Sequence, residues 1–394
     1  MENSFKIKFI ECSSNSLKEI GFDASYIHKG LEKHKFLSIK ISNLNCAQAN
    51  IIKQTALSVG ADSAVHRDVI TGGVELSDCI LSGSLAQLIK ICEKLKHQPF
   101  KLQVLANQII SLIDAKPTIL KLRDSVFDFS KRTYLMGILN LTPDSFSDGG
   151  LYNTFDAAIQ QYESLLDAGA DIIDIGGEST RPYSSPVSVD EEINRVIPVI
   201  ERIRTFDKNT VISIDTRNSH TAKFALQAGA DIVNDVSALD YDKNMLSVLV
   251  ENNCPIIINH SKGTPDVMQD DTHYMDVVSE VYDYLFNKIK FLTQNGIDGS
   301  KIIVDPGIGF GKNRNQNLDI IKRLVEFKTL KCPILVGHSR KSFIKETIGT
   351  VDNHQLDFAT SIVSTKLVEN GANILRVHNV NQHKTLLDVL NSLG

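Results

Sequence analysis

Gly169-Ala170-Asp171-Ile172-Ile173-Asp174-Ile175-Gly176-Gly177 decides the fold. A glycine suited to end a helix leads straight into a short isoleucine-rich run, which stops at a glycine pair. The opening recurs as Gly229-Ala230-Asp231-Ile232 and Gly371-Ala372-Asn373-Ile374. One helix-to-strand turn is therefore used again and again along the chain.

Working outward, comparable apolar runs stand at 134–141, 171–177, 211–216, 231–236, 255–261, 301–307, 333–339 and 374–380. Such near-continuous runs suit parallel strands covered on both faces. Amphipathic segments lie between them. Ala158, Tyr162, Leu165 and Leu166 share one helical face over 155–168, and Ile193, Val196, Ile197 and Ile200 share another over 190–203. Eight strands alternating with helices over about 260 residues predict an α/β fold, a (β/α)8 TIM barrel. An open doubly wound sheet is the alternative.

Residues 1–114 read differently. Strand-like runs at 5–10 and 36–43 mix with helical patterns at 46–58 and 84–97, which predicts a small α+β domain. The polar, broken stretch 115–133 reads as a linker. The expected division is 1–128 for the small domain and 129–394 for the barrel. Asp62, His66, Arg67 and Asp68 form a polar cluster in the small domain that reads as a solvated turn.

The chain has 394 residues, with 42 Lys and Arg against 47 Asp and Glu, a net charge of −5 that argues against a broad nucleic-acid surface. Charged residues at 23% and hydrophobic ones at 42% are those of a folded protein rather than a disordered one. Cysteines 12, 46, 79, 92, 254 and 332 make no C-x-x-C pair, which suggests reduced thiols in the cytoplasm. No apolar stretch approaches the ~18 residues a membrane span needs, and no signal-peptide pattern opens the chain, so no membrane partner is expected.

Polar residues gather where each expected barrel strand ends, the face on which such barrels build active sites. The strand ends carry Asn140, then Gly176-Gly177-Glu178, Asp215-Thr216-Arg217, Asn234-Asp235 and Asn259-His260-Ser261. Asp305-Pro306-Gly307-Ile308-Gly309-Phe310-Gly311-Lys312 follows, then Ser339-Arg340-Lys341, and finally Arg376 and His378, two apart on one face. Each alone has a structural reading, as a helix cap, a turn or a polar pair. Together they point to a ligand. Asp215, Asn234, Asp305 and Lys341 suit a flat, nitrogen-rich heterocycle, whereas Asn140, Arg376 and His378 suit an anionic oxygen group with a divalent ion.

At these residues the chain resembles the dihydropteroate synthase family. Met136 to Gly150, read MGILNLTPDSFSDGG, resembles the family's first signature, and Asp174 to Pro182, read DIGGESTRP, its second. Asp305–Lys312, Ser339-Arg340-Lys341-Ser342-Phe343 and Arg376-Val377-His378 match further blocks in order. The resemblance covers roughly 133–394. It implies a transferase of folate synthesis that joins 6-hydroxymethyl-7,8-dihydropterin diphosphate to 4-aminobenzoate, with Mg²⁺ as cofactor and a homodimer as the usual assembly. It implies pterin contacts at Asp215, Asn234, Asp305 and Lys341. Diphosphate contacts fall on Asn140, Arg376 and His378, with Asn140 also on the metal. Phe146, Thr180, Arg181 and Ser339 fall at the aminobenzoate pocket and its loops. Asp215, Asp305, Lys341 and Arg376 are the residues expected to act on the reaction itself.

The chain departs from the family pattern at Asn259-His260-Ser261, at Tyr183-Ser184-Ser185 and at His338, which affects the expected ligand pockets rather than the reaction class. The small domain resembles an extension found in some bacterial and archaeal members, with oligomerisation or stability as its expected role. A methyltetrahydrofolate:corrinoid methyltransferase would share Asp215, Asn234 and Asp305. It would not require the 142–150 loop, Ser339-Arg340-Lys341 or Arg376-x-His378. A pterin-binding protein without catalysis is the reading from another class.

Overall fold

The computed structural model describes residues 7–114, 118–142, 151–178, 187–263, 268–349 and 352–393. The chain forms two compact units, Met1–Lys116 and Pro117–Gly394.

In the first unit, β1 (Phe36–Asn45), β2 (Asp62–Val65) and β3 (Leu76–Ser84) make an antiparallel sheet in the order β1-β3-β2. Helices Cys46–Leu57 and Leu85–Leu95 follow β1 and β3 directly, each opened by a capping box, Asn45 with Gln48 and Ser84 with Gln87. Ile52, Leu81, Leu88, Ile91 and Leu95 fill the core between helices and sheet. The α+β expectation stands, but residues 7–10 carry no strand. The sequence reading also missed β2 and β3. The inward face of β3 is Ser77, Cys79, Leu81 and Gly83, and small residues leave little hydrophobic alternation to read.

The second unit opens with a hairpin, β4 (Ile119–Leu122) and β5 (Ser125–Asp128). Eight parallel strands follow: β6 (Tyr134–Asn140), β7 (Ile172–Gly176), β8 (Val211–Asp215), β9 (Ile232–Asp235), β10 (Ile256–Asn259), β11 (Ile302–Asp305), β12 (Leu335–Val336) and β13 (Ile374–Val377). Their order is β11-β10-β9-β8-β7-β6-β13-β12, and a bridge between Val304 and Ile334 joins the two ends of the sheet. That closure selects the barrel over the open sheet.

Strand parity divides the interior. Leu135, Leu139, Ile173, Ile175, Ile212, Ile214 and Leu375 point outward into the layer beneath the helices. Met136, Ile172, Val211, Ile232, Ile257, Ile303, Leu335 and Ile374 point inward and share one cluster with Leu120 and Phe127 of the hairpin. The hairpin therefore belongs to the barrel, as the plug of its lower end. The domain boundary moves from 128/129 to 116/117, because a polar-looking segment supplies the apolar residues that seal the ring.

The repeated turn sets the register. Gly169, Gly229 and Gly371 adopt φ of +95°, +115° and +99°, the left-handed region that glycine enters without a steric penalty. The next polar side chain then bonds the neighbouring strand. Asp171 Oδ2 accepts from Leu135 N at 2.8 Å, Asp231 Oδ2 from Ile212 N at 2.9 Å, and Asn373 Oδ1 from Ile334 N at 2.9 Å. Asp231 also receives Arg204, whose side chain is only 9% exposed, and Asp171 receives Arg132, which is 47% exposed. Asp231→Ala would take the carboxylate partner from the buried Arg204, which keeps only carbonyl acceptors, and from Arg123 as well, and is expected to cost about 3–5 kcal/mol. Asp171→Ala is expected to cost only about 1–2 kcal/mol. Denaturant unfolding of the two variants side by side checks the order.

Candidate active site

The inward positions change character halfway up the barrel. Above the apolar floor stand Asp174, Ser213, Asp215, Asn234, Asn259, Asp305 and Arg376, all but Arg376 under 9% exposed. Register aligns the upper rim, with Asn140 beside Gly176, Gly176 beside Asp215, and Asp215 beside Asn234. Asn259 likewise lies beside Asp305.

Arg376 is the hub. Its Nε donates to Asp174 Oδ2 at 2.5 Å and its Nη2 to Asp215 Oδ2 at 2.6 Å. Asn234 Nδ2 donates to the same Asp174 oxygen at 3.1 Å. Burial alone would weaken the arginine's charge, but Asp174 and Asp215 overcome it and hold its pKa above the ordinary value. Burial pushes Asp215 up to about 7. Arg376 opposes that shift, and the neighbouring Asp174 adds to it.

Asp305, at the end of β11, and Lys341, beyond β12, bring two further opposite charges to the loop that follows β11. Asp305 Oδ1 accepts from Gly307 N at 2.8 Å, and burial raises its pKa against that bond and the nearby Lys341. Lys341 Nζ donates to Ile308 O at 2.5 Å and lies 3.6 Å from the centre of the Phe310 ring. Burial pushes Lys341 down to about 7, with Asp305 opposing. The glycines of this loop are required. Gly307 has φ +71°, and a Cβ there would stand 1.9 Å from His260 O. One on Gly309 would stand 2.5 Å from Lys341 Cδ.

Ser339 and His378 meet, with Ser339 Oγ 2.9 Å from His378 Nδ1. The sequence reading assigned them to different substrates. It also grouped Arg376 with His378, whereas the guanidinium turns to Asp174 and Asp215. Asn140 sits half-buried at the rim. Phe146, Thr180 and Arg181, like Tyr183-Ser184-Ser185, lie outside the described residues. His338 faces away from the mouth. Its Nε2 lies 2.8 Å from Ser364 Oγ, and burial pushes its pKa down to about 3, so it belongs to the layer behind the site.

Sequence reasoning gave no role to Asp174 or Lys312. Asp174 carried a signal, as the one charged residue within an otherwise apolar run at an inward-facing position. Lys312 ends the glycine-rich motif. It is fully buried, and its Nζ reaches His260 Nδ1, Gly307 O and Phe310 O, each at 2.9 Å, tying the loops after β10 and β11. Burial, with Lys312 adding to it, pushes His260 down to about 2.

Several acceptors in this interior have no protein partner among the described residues: Asp174 Oδ1, Asp215 Oδ1 and Asn259 Oδ1, with Ser213 Oγ nearby. Buried acceptors are rarely left so. A barrel with such a mouth is built for a flat polar ligand rich in N–H donors. Residues 136–378 match the family model described as "Pterin binding enzyme". A dihydropteroate synthase of Synechocystis is 41% identical over 287 residues, 73% of this chain and 99% of that one. A probable bifunctional folylpolyglutamate synthase/dihydropteroate synthase of Haloferax volcanii is 38% identical over 355 residues, 87% of this chain and 41% of its own. That likeness is longer than Pro117–Gly394 and so reaches into the first unit. The Xanthomonas albilineans dihydropteroate synthase, solved with 4-aminobenzoic acid, superposes with a TM-score of 0.66 at 36% identity, covering 71% of this chain and 98% of that one. The chain belongs to the pterin-binding enzymes and, within them, to the dihydropteroate synthases, which are transferases.

The hub is testable by itself. Arg376→Gln strands two buried carboxylates and is expected to destabilise the barrel by about 3–5 kcal/mol. Adding Asp174→Asn removes one of the stranded charges and is expected to recover part of that loss. Denaturant unfolding of both variants against Asp174→Asn alone gives the coupling.

Proposed function

We propose that the barrel mouth joins 6-hydroxymethyl-7,8-dihydropterin diphosphate to 4-aminobenzoate, with the residues above in defined roles. The observation that supports this reading is the set of buried acceptors with no partner among the described residues, Asp174 Oδ1, Asp215 Oδ1 and Asn259 Oδ1. A pterin presents amino and ring N–H donors in one plane, their complement. Asp215, Asn234 and Asp305 hold that edge, and Lys341 donates to the ring's acceptors. Asn140, Arg376 and His378 face the diphosphate. Ser339 borders the aminobenzoate, with Phe146, Thr180 and Arg181 expected on the covering loops.

The bond from the pterin's methylene carbon to the diphosphate oxygen breaks, and its electron pair leaves with diphosphate. The electron-rich dihydropterin spreads the resulting positive charge. The arylamine nitrogen then bonds to the methylene carbon and passes its proton to water or to the released diphosphate. Asp215 and Asp305 are fixed acceptors beside the growing cation, so they stabilise it with little reorganisation. Arg376 and His378 stabilise the departing anion. Covering loops would exclude the water that could otherwise capture the cation. An arylamine is already nucleophilic, so no activated serine or cysteine is called for.

The donor set fits Mg²⁺ only as an ion that brings most of its ligands with it. No three His, Cys, Asp or Glu converge among the described residues, whereas Asn140 offers a hard amide oxygen at the rim. Mg²⁺ shared between Asn140 and the diphosphate would neutralise charge on the leaving group. Six free cysteines, four of them buried, support a reducing cytosolic setting. Among the described residues no helix is long and apolar enough to cross a membrane. A homodimer, as in the family, completes the proposal, and sedimentation tests it.

Diphosphate release that depends on 4-aminobenzoate, with dihydropteroate formed, is the expected result with the purified protein and Mg²⁺. Saturable pterin binding without release would favour a binding protein instead. Lys341→Ala and Arg376→Ala are each expected to lower kcat about 100-fold or more. Asp215 and Lys341 both titrate at about 7, and pterin binding needs the first ionised and the second protonated. The dissociation constant against pH is therefore expected to have its minimum near neutrality, with both limbs belonging to the coupled set. Asp215→Asn should remove the acid limb and Lys341→Met the alkaline one, read by calorimetric titration.

A further inference from the structure

Arg340, between Ser339 and Lys341, has φ of +58°, in the left-handed region that favours glycine. Something must hold it there. Its Nε donates to Asp357 Oδ1 at 2.7 Å and its Nη2 to Asp357 Oδ2 at 2.8 Å. Asp357 stands on helix Asn353–Glu369 and is 5% exposed. The same Oδ2 accepts from Asn379 Nδ2 at 3.1 Å, and Asn379 directly follows His378. One buried carboxylate thus grips the residues adjoining Lys341 and His378, on the loops after two neighbouring strands. On the opposite side, Ser339 Oγ meets His378 Nδ1 at 2.9 Å. Burial would raise the pKa of Asp357, but the bonds from Arg340 and Asn379 outweigh it and keep the group ionised.

Exposed ion pairs contribute little. This one differs in three respects. It is two-pronged, its carboxylate is buried, and it holds a strained backbone next to a lysine of the site.

We propose that Asp357 is a positioning residue, whose grip on Arg340 and Asn379 holds Lys341 and His378 in the relative geometry the transfer requires. It touches no substrate itself. The inference rests on the roles given to Lys341 and His378 above.

Three variants of the full chain test it: Asp357→Asn, Arg340→Gly and the double variant. Glycine adopts φ +58° without strain but cannot make the clamp. Binding of the pterin diphosphate is measured across neutral pH, and kcat and KM are measured for both substrates. Each single variant is expected to lose on the order of 10- to 100-fold in pterin diphosphate binding and in kcat, as small misplacements do. The double variant is expected to lose no more than the worse single one. The alkaline limb should also move upward. Lys341 would no longer be held in its dry site among Asp305, Asp215, Arg376, Lys312 and His338.

Wild-type binding and an unmoved limb in Arg340→Gly would overturn the proposal, since the clamp would then only offset Arg340's own strain. Loss in Arg340→Gly with a normal Asp357→Asn would overturn it too, placing Arg340 on the substrate. If Asp357→Asn does not fold, Arg340→Gly decides alone by the position of its alkaline limb. Absence of diphosphate release from the wild-type protein would sink the synthase roles instead, and the binding arm would still judge the clamp.

Discussion

A ring of eight parallel strands has an inside that must be filled, and this requirement governs the rest of the structure. Each strand sends every second side chain inward. In the lower half these are Met136, Ile172, Val211 and their neighbours, sealed by Leu120 and Phe127 of the hairpin. In the upper half the same parity delivers Asp174, Asp215, Asn234, Asp305 and Arg376. Buried charge in such numbers is tolerable only where each group answers another. Arg376 meets that need by spanning from β13 to the carboxylates of β7 and β8.

The same compensation prepares the chemistry. On the proposed roles, carboxylates held by a buried arginine and by backbone N–H groups would be aimed before the ligand arrives, leaving little reorganisation for the reaction step. One oxygen of Asp174 and one of Asp215 have no partner among the described residues, a need that a pterin bound as proposed would meet. Lys341 is held from two sides. It rests on Phe310 and Ile308 at the front, while the clamp at Asp357 grips its neighbour Arg340 from behind.

Much of this was legible in the chain. The turn that begins with Gly169, Gly229 and Gly371 announced the helix-to-strand repeat. Polar residues at the strand ends announced the face that carries the site, and the motifs from Met136 to His378 announced the chemistry. The failures have physical causes. The 119–128 hairpin is two four-residue strands about a charged turn, Arg123-Asp124, too short to stand out from a linker, and its burial depends on the barrel it plugs. Strands β2 and β3 were missed because small residues line their inward face. His338 looks like a pocket residue from its place beside Ser339, yet parity turns it outward to Ser364. The motifs gave no role to Asp174 or Lys312, since Asp174 finds Arg376 and Asn234, and Lys312 finds His260, only across the folded barrel.

By itself the sequence determined which residues lie on which face of each strand, because alternation is a local property of the extended chain. It determined the turns too, because glycine's access to positive φ is local. Only the tertiary structure decided which of those residues meet. Arg376 finds Asp174 and Asp215 across 202 and 161 positions of chain, and Asp357 joins Arg340 to Asn379 across 17 and 22. Such meetings are set by strand register and ring closure, which depend on the whole barrel and on no single stretch of it.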